Sequence, residues 1–297
     1  MLSIKFVPCL SGKMMKKFFT LLVLTVLLSC NGGDPGKGVG IITVSIPPFK
    51  YFVDRIAGND FSVNVMVPPG SDPHVFEPSP DQIVRLKKSV AYISNGYLGF
   101  EMTWLDRLNE VNRSMIRLCL ADKIELIMDG DGHEEGVDPH YWLSLESGRI
   151  VALSIKELLC DLNPVQKEKY GFNYEQLIKD IDKTDREADS LFSAFRGRPF
   201  MIYHPNLAYM ARDYGLEEIA VEYNGKEPPP SRLKELIDMA RVRRMCTILV
   251  QKEYDQRYAG SIASETGAKV EVIDPLSENW LESVRGIIIS LHSGFSK

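Results

Sequence analysis

The sequence predicts an α/β protein of two lobes with mainly parallel sheets, joined by a long rigid α-helix. Three observations lead there. β-rich runs alternate with stretches of helical spacing over 39–160 and again over 197–297. Between them, 173–195 holds neither Gly nor Pro, and Leu177, Ile181, Thr184, Ala188, Leu191 and Phe195 are spaced 4, 3, 4, 3 and 4. The composition, 44% hydrophobic and 25% charged over 297 residues, is that of a globular chain with one large core or two ordinary ones. Disordered, collagenous and coiled-coil chains are excluded. So is a multi-span membrane protein, because the single strongly apolar run lies near the N-terminus. The net charge of −5, with 40 acidic against 35 basic groups and no basic block, argues against nucleic-acid binding.

The apolar run comes first along the chain. Lys16 and Lys17 precede eleven apolar-rich residues, Phe18 to Leu28, too few to span a bilayer as a helix. They read as a signal peptide, for which Met14 or Met15 is a more natural start than Met1. The run ends in Leu27-Leu28-Ser29-Cys30, which resembles the bacterial lipobox, whose cysteine is acylated and becomes the mature N-terminus. The alternative is a plain secretory signal with a chance cysteine. With Cys30 acylated, more than one lipid chain holds the protein on a membrane, and the Gly-rich segment to Gly38 is a flexible tether. Cys119, Cys160 and Cys246 are odd in number, widely spaced and set among apolar neighbours. They predict buried, inert thiols and no disulfide framework.

In the first lobe, Val39 to Ile46 reads as a buried strand broken by Pro47-Pro48, and Phe49, Phe52, Val53 and Ile56 as one face of a helix closing on Gly58. Phe61 to Val67 is a second strand. Ser79-Pro80 opens a helix to about Lys88 through a Ser cap and a Pro in the first turn. Strand 90–94, helix 100–109 and strand 116–120 follow. The acidic, Gly-rich stretch 129–138 has no period and reads as a solvated mobile loop. Residues 147–159 form a helix with Ile150, Val151, Leu153, Ser154 and Leu158 turned inward. The stripe of 173–195 describes a helix about 35 Å long at 1.5 Å per residue. It fits a strut between lobes and an ordinary surface helix equally well. The second series places strands at 199–203, 218–221, 247–251 and 269–273, and helices at 207–214, 232–241, 258–266 and 280–291.

Asp72-Pro73-His74 and Asp138-Pro139-His140 repeat one tripeptide, His204 follows a strand in Tyr203-His204-Pro205, and Asp274-Pro275 follows another. The intervals of 66, 64 and 70 residues put each candidate ligand on its own loop. Parallel α/β sheets gather ligand groups beyond the carboxyl ends of their strands, and a proline beside each group reduces the ordering cost of binding. Three imidazoles and a carboxylate suit a borderline divalent ion, zinc before calcium or magnesium. Taken singly, each histidine reads better as a hydrogen-bonded loop residue; only the four groups together weaken that reading.

At these residues the chain resembles the metal-binding solute receptors of ABC transporters for zinc and manganese. Gly70-Ser-Asp-Pro-His-Val-Phe-Glu-Pro-Ser-Pro, Asp138-Pro-His-Tyr-Trp-Leu-Ser, Glu227-Pro-Pro-Pro-Ser, Glu265-Thr-Gly-Ala-Lys-Val and Val272-Ile-Asp-Pro-Leu carry the resemblance over essentially the whole mature chain. It implies a metal held between two lobes by His74, His140, His204 and Asp274, a permease partner in the inner membrane, and a monomer. Zinc receptors of the family tend to have His at the third ligand position and manganese receptors Glu, so His204 implies zinc, with manganese the alternative. The long His-rich loop of many zinc members is reduced here to His133 among acids, which speaks against a metal-collecting role.

The expected organisation is a lipoprotein signal peptide at 1–29, a tether at 30–38, metal-binding lobes at 39–160 and 197–297, and the linking helix at 161–196. The expected location is the periplasm or cell surface, anchored through Cys30. No catalytic activity is expected. Four protein ligands close the shell that a catalytic zinc keeps open, His133-Glu134-Glu135 is not followed by the second His of a zinc protease, and neither a nucleophile elbow nor a phosphate loop occurs. The rivals are a secreted zinc hydrolase, with Asp274 or Glu77 as base, and a cell-adhesion lipoprotein with a structural metal. A metal-bound water in a substrate-sized cleft favours the first; a metal that cannot leave without unfolding favours the second. Since bound ligands must be deprotonated, affinity is expected to fall with pH through the histidine range.

Overall fold

A computed structural model describes residues 39–128, 136–222 and 225–296. The signal peptide, Cys30, the tether to Gly38 and residues 129–135 of the acidic loop lie outside the described residues.

Two four-stranded parallel sheets organise the chain. The first holds β1 (Gly40–Val44), β2 (Phe61–Val65), β3 (Ser89–Ser94) and β4 (Ile116–Cys119) in the order β2-β1-β3-β4. The second repeats that order with β5 (Pro199–Ile202), β6 (Glu217–Ala220), β7 (Thr247–Gln251) and β8 (Lys269–Ile273), as β6-β5-β7-β8. Strand order therefore reverses beside β1 in one sheet and beside β5 in the other. Crevices that bind ligands in open α/β sheets form at such reversals, beyond the carboxyl ends of the strands. The central strands are buried on both faces, so Ile42, Val44, Ile248, Leu249 and Val250 form near-continuous apolar runs.

The first helix, α1 (Pro47–Ala57), starts two residues before its expected position. Pro47 and Pro48 occupy its first turn, where their missing N–H groups would have no intrahelical partner anyway. Its apolar face, Phe49, Phe52, Val53 and Ile56, is buried as the spacing implies. The second, α2 (Pro80–Lys87), has the expected Ser79 cap, with Gln82 returning a bond to the Ser79 backbone N–H. After α3 (Gly99–Val111) and β4, α4 runs over Leu145–Leu162. It buries Val151, Ser154 and Leu158 as expected but leaves Leu153 exposed and Ile150 at an intermediate position; Ala152 and Ile155 take the inner face. Cys119, Cys160 and Cys246 are free thiols, but half-buried and not fully buried.

The long helix, α5, spans Lys167–Phe192, 26 residues and about 39 Å. It begins six residues before the Gly-free window. Gly171 sits inside it at a cost of about 1 kcal/mol, and Tyr170, fully buried beside it, supplies packing that outweighs that cost. Leu177, Ile181, Thr184 and Ala188 are buried, but the helix closes at Phe192, which takes the last inward place in preference to Phe195. α5 packs on α1 and α4 before it and on α6 (Ala208–Tyr214) and α9 (Trp280–Phe295) after it. Its acids reach both ways: Asp180 to Arg55 and Asp182 to Arg149, then Asp185 to Tyr214 and Glu187 to Arg285. A strut accounts for this better than a surface helix packed on one side. The second series is completed by α7 (Pro230–Val242) and α8 (Arg257–Thr266).

The main core is continuous across both sheets, joining Ile42, Phe49 and Trp142 to Ile202, Leu249 and Trp280. Trp280 is seated against Gly148 of α4, where a Cβ would lie 2.5 Å from the indole, so only glycine admits that approach. The Trp280 indole N–H donates to the Trp142 carbonyl at 2.5 Å, and that of Trp142 donates to the Pro275 carbonyl at 3.0 Å. Among the described residues, no helix is long and apolar enough to cross a membrane.

Candidate metal centre

The two Asp-Pro-His tripeptides fold alike. Asp72 Oδ1 accepts the His74 backbone N–H at 2.8 Å, and Asp138 Oδ1 accepts that of His140 at 2.8 Å. Each is an Asx turn, in which the aspartate side chain bonds the backbone two residues on and the intervening proline fixes φ. The His74 turn is held from below by α3: the Phe100 N–H donates to the Pro73 carbonyl at 3.1 Å, and a Cβ at Gly99 would lie 2.3 Å from the His74 carbonyl oxygen. The His140 turn is held by the second lobe, where the Tyr209 hydroxyl donates to the Asp138 carbonyl at 2.7 Å.

His204 is placed by strand register. β5 pairs with β6 at Ile202↔Ala220 and with β7 at Ile202↔Leu249. Two residues further along all three chains stand His204, Glu222 and Gln251. The Gln251 side chain donates to the His204 carbonyl at 2.6 Å and accepts its N–H at 3.3 Å, and both Glu222 oxygens lie 3.1 Å from His204 Nδ1. Tyr254 stacks on the imidazole with centroids 5.1 Å apart and planes 14° apart. Burial, reinforced by the Asp72 charge, pushes the Tyr254 phenol up, so it remains neutral.

The three imidazoles converge. Their ring centroids stand 5.3, 4.9 and 5.2 Å apart, and one nitrogen from each lies within 4.8 Å of the others. His74 Nε2 and His140 Nε2 are 3.2 Å apart. Two nitrogens about 2.05 Å from one tetrahedral zinc would be separated by about 3.3 Å. His140 is 2% exposed and His204 6%. The Nδ1 of His140 is 2.8 Å from Asp138 Oδ1, as that of His204 is from Glu222 at 3.1 Å. A carboxylate on the far nitrogen fixes the tautomer and aims Nε2 at the centre, the arrangement found behind metal-bound imidazoles. The Trp142 ring lies 5.2 Å from that of His140.

Asp274, the fourth residue expected from the sequence, stands apart from this trio. It follows β8 as expected, but its Oδ2 accepts from Lys252 Nζ at 2.5 Å, and it does not share the cluster of converging donor atoms. Glu253, on the loop after β7, lines the cavity instead, and burial pushes its carboxyl up. His74, His140, His204, Trp142, Tyr254 and Leu276 line a partly open cavity of about 20 Å³, room for an ion or a water.

Sequence reasoning located the three imidazoles and missed Asp138, Glu222 and Gln251 as their supports. Asp138 lay within the repeated tripeptide, whose Asx-turn chemistry points to it. Glu222 and Gln251 needed strand register.

A family model described as zinc-uptake complex component A, periplasmic, matches residues 42–293. The crystal structure of ZnuA superposes with a TM-score of 0.80 at 33% sequence identity, covering 86% of this chain and 98% of that one. The laminin-binding protein Lmb of Streptococcus agalactiae, described as bifunctional with adhesin and metal-transporting activity, superposes with a TM-score of 0.76 at 22% identity. That match covers 86% of this chain and 99% of Lmb, and shows a shared fold. The zinc-binding lipoprotein AdcA of Streptococcus pneumoniae (strain ATCC BAA-255 / R6) is 25% identical over 281 residues, 88% of this chain and 56% of AdcA. The manganese ABC transporter substrate-binding lipoprotein PsaA of Streptococcus anginosus is 26% identical over 274 residues, 86% of this chain and 88% of PsaA. This chain thus spans about half the length of AdcA, but most of PsaA.

Proposed function

We propose that this chain, which belongs to the family of periplasmic zinc-uptake component A, is an extracytoplasmic zinc receptor that delivers its ion to an ABC-type import permease. Metal binding by an ABC transporter substrate-binding protein is the reading common to its relatives. The convergence of His74, His140 and His204, two of them backed by a carboxylate, is the observation that carries it. Nitrogen-dominated coordination by neutral imidazoles favours zinc over manganese, which prefers oxygen donors. Asp274 is the fourth ligand in this reading, reached when Lys252 yields it.

Ion capture places the cation among nitrogens already aimed by Asp138 and Glu222, so little ordering is required of them. The lobes at 39–160 and 197–297 each contribute ligands, and the intervening helix holds their spacing. The permease then recognises the loaded form. A lipid chain on Cys30 keeps the receptor at the membrane.

Elemental analysis and calorimetric zinc titration of the purified protein test this. One zinc per chain is expected, with H140A losing most of the affinity; unchanged titration of H140A rejects the site. Manganese in competition with zinc decides the metal. The carboxyl group of Glu253, which lines the cavity, is the feature that favours manganese, and tighter manganese binding overturns the zinc assignment.

A further inference from the structure

Lys252 and Asp274 meet because β7 and β8 end in register. Gln251 pairs with Ile273, the Lys252 N–H donates to the Ile273 carbonyl at 3.0 Å, and the next side chains along are the ammonium and the carboxylate, 2.5 Å apart. The Asp274 backbone is anchored independently, its carbonyl accepting from the Ser283 hydroxyl. The two carboxylate oxygens differ. Oδ2 holds Lys252, while Oδ1 is buried with no hydrogen-bond partner among the described residues. A buried carboxylate oxygen left in that state is costly, and a cation is the partner that would satisfy it.

We propose that Lys252 is an internal competitor for the transported metal, its ammonium contending with the cation for the one carboxylate of Asp274. This rests on the zinc-receptor reading above. Lys252 and Asp274 are 38% and 34% exposed at their side chains. An ion pair so accessible to water is weak, so a divalent ion displaces it readily. On capture, the Lys252 ammonium is repelled by the arriving charge and swings to solvent on its flexible stem, freeing Oδ2. On release the lysine returns, and Asp274 never faces the emptying site as an uncompensated charge. The pair therefore lowers affinity and eases hand-over, both of which a receptor that must surrender its ion to a permease requires. Glu253, next in sequence, lines the cavity itself, so a general effect of the lysine on nearby acids has to be separated from its effect on Asp274.

The experiment is calorimetric zinc titration of the full chain as wild type, K252M, K252Q, K252R, D274N and K252M/D274N, with H140A as the reference for the site. K252M and K252Q are expected to bind zinc tighter, by up to about fivefold, the gain open to removing a pair of this exposure. K252R should stay within the wild-type range, and the gain should vanish in the D274N background. Equal or weaker binding by K252M and K252Q overturns the proposal, as does a gain that persists without the Asp274 carboxylate. Wild-type binding by H140A would instead reject the metal site itself, whatever the lysine variants do.

Discussion

Asp138 Oδ1 lies 2.8 Å from both the backbone nitrogen and the ring Nδ1 of His140. One oxygen thus fixes the turn that carries the histidine and the orientation of its imidazole. In D138N the amide oxygen can still accept the backbone bond, but the charge behind the ring is lost. Zinc affinity should fall about 10–100-fold, with the far-ultraviolet circular dichroism unchanged. A calorimetric titration matching wild type would show that the carboxylate serves the turn alone. E222Q should behave likewise through His204.

Gly99 tests how far the His74 loop depends on α3. A methyl group there would stand 2.3 Å from the His74 carbonyl, against backbone and with no flexible side chain to yield. G99A should destabilise the fold by about 1–3 kcal/mol and displace His74, so that the urea midpoint and zinc affinity fall together. A urea midpoint at the wild-type value would mean the loop moves aside without cost.

Trp142 provides an optical readout. Its ring lies tilted against that of His140, with centroids 5.2 Å apart and planes at 57°, while its indole N–H holds the Pro275 carbonyl beside Asp274. Zinc addition should change the intrinsic tryptophan fluorescence, and W142F should lose most of that change while W104F keeps it. A full response in W142F would place the signal elsewhere.

Glu217 and Arg243 illustrate a purely structural pH effect. The Arg243 guanidinium, bonded to both Glu217 oxygens at 2.6 Å, holds that carboxyl below its ordinary value of 4.5. A carboxyl depressed in the folded state stabilises above its unfolded pKa, and the contribution is lost as pH falls through the folded value. E217Q should therefore cost up to about 1 kcal/mol at pH 7, given the pair's exposure, with the difference from wild type closing below pH 4.5. Urea midpoints at pH 7 and pH 3 measure it; a gap that stays constant with pH would remove the ion pair as its cause.

The alternation of strands and helices, the apolar stripe of the long helix and the Asp-Pro-His tripeptides were legible along the chain. Each is a local matter. A period of 3.6 or 2, a Ser cap at Ser79 or an Asx turn in Asp-Pro-His is set by neighbours a few positions apart. Even so, Gly171 and Pro47 misplaced two helix starts, because burial of Tyr170 and the unpaired first-turn amides outweigh local propensity. What stands behind and beside the converging imidazoles depends on contacts between distant segments. Glu222 reaches His204 through the β5–β6 register, and Lys252 reaches Asp274 through β7–β8. The hydrogen bonds that set those registers join segments about 20 residues apart, with no trace in the local pattern of either. A one-residue slip would turn each partner to the opposite face of the sheet.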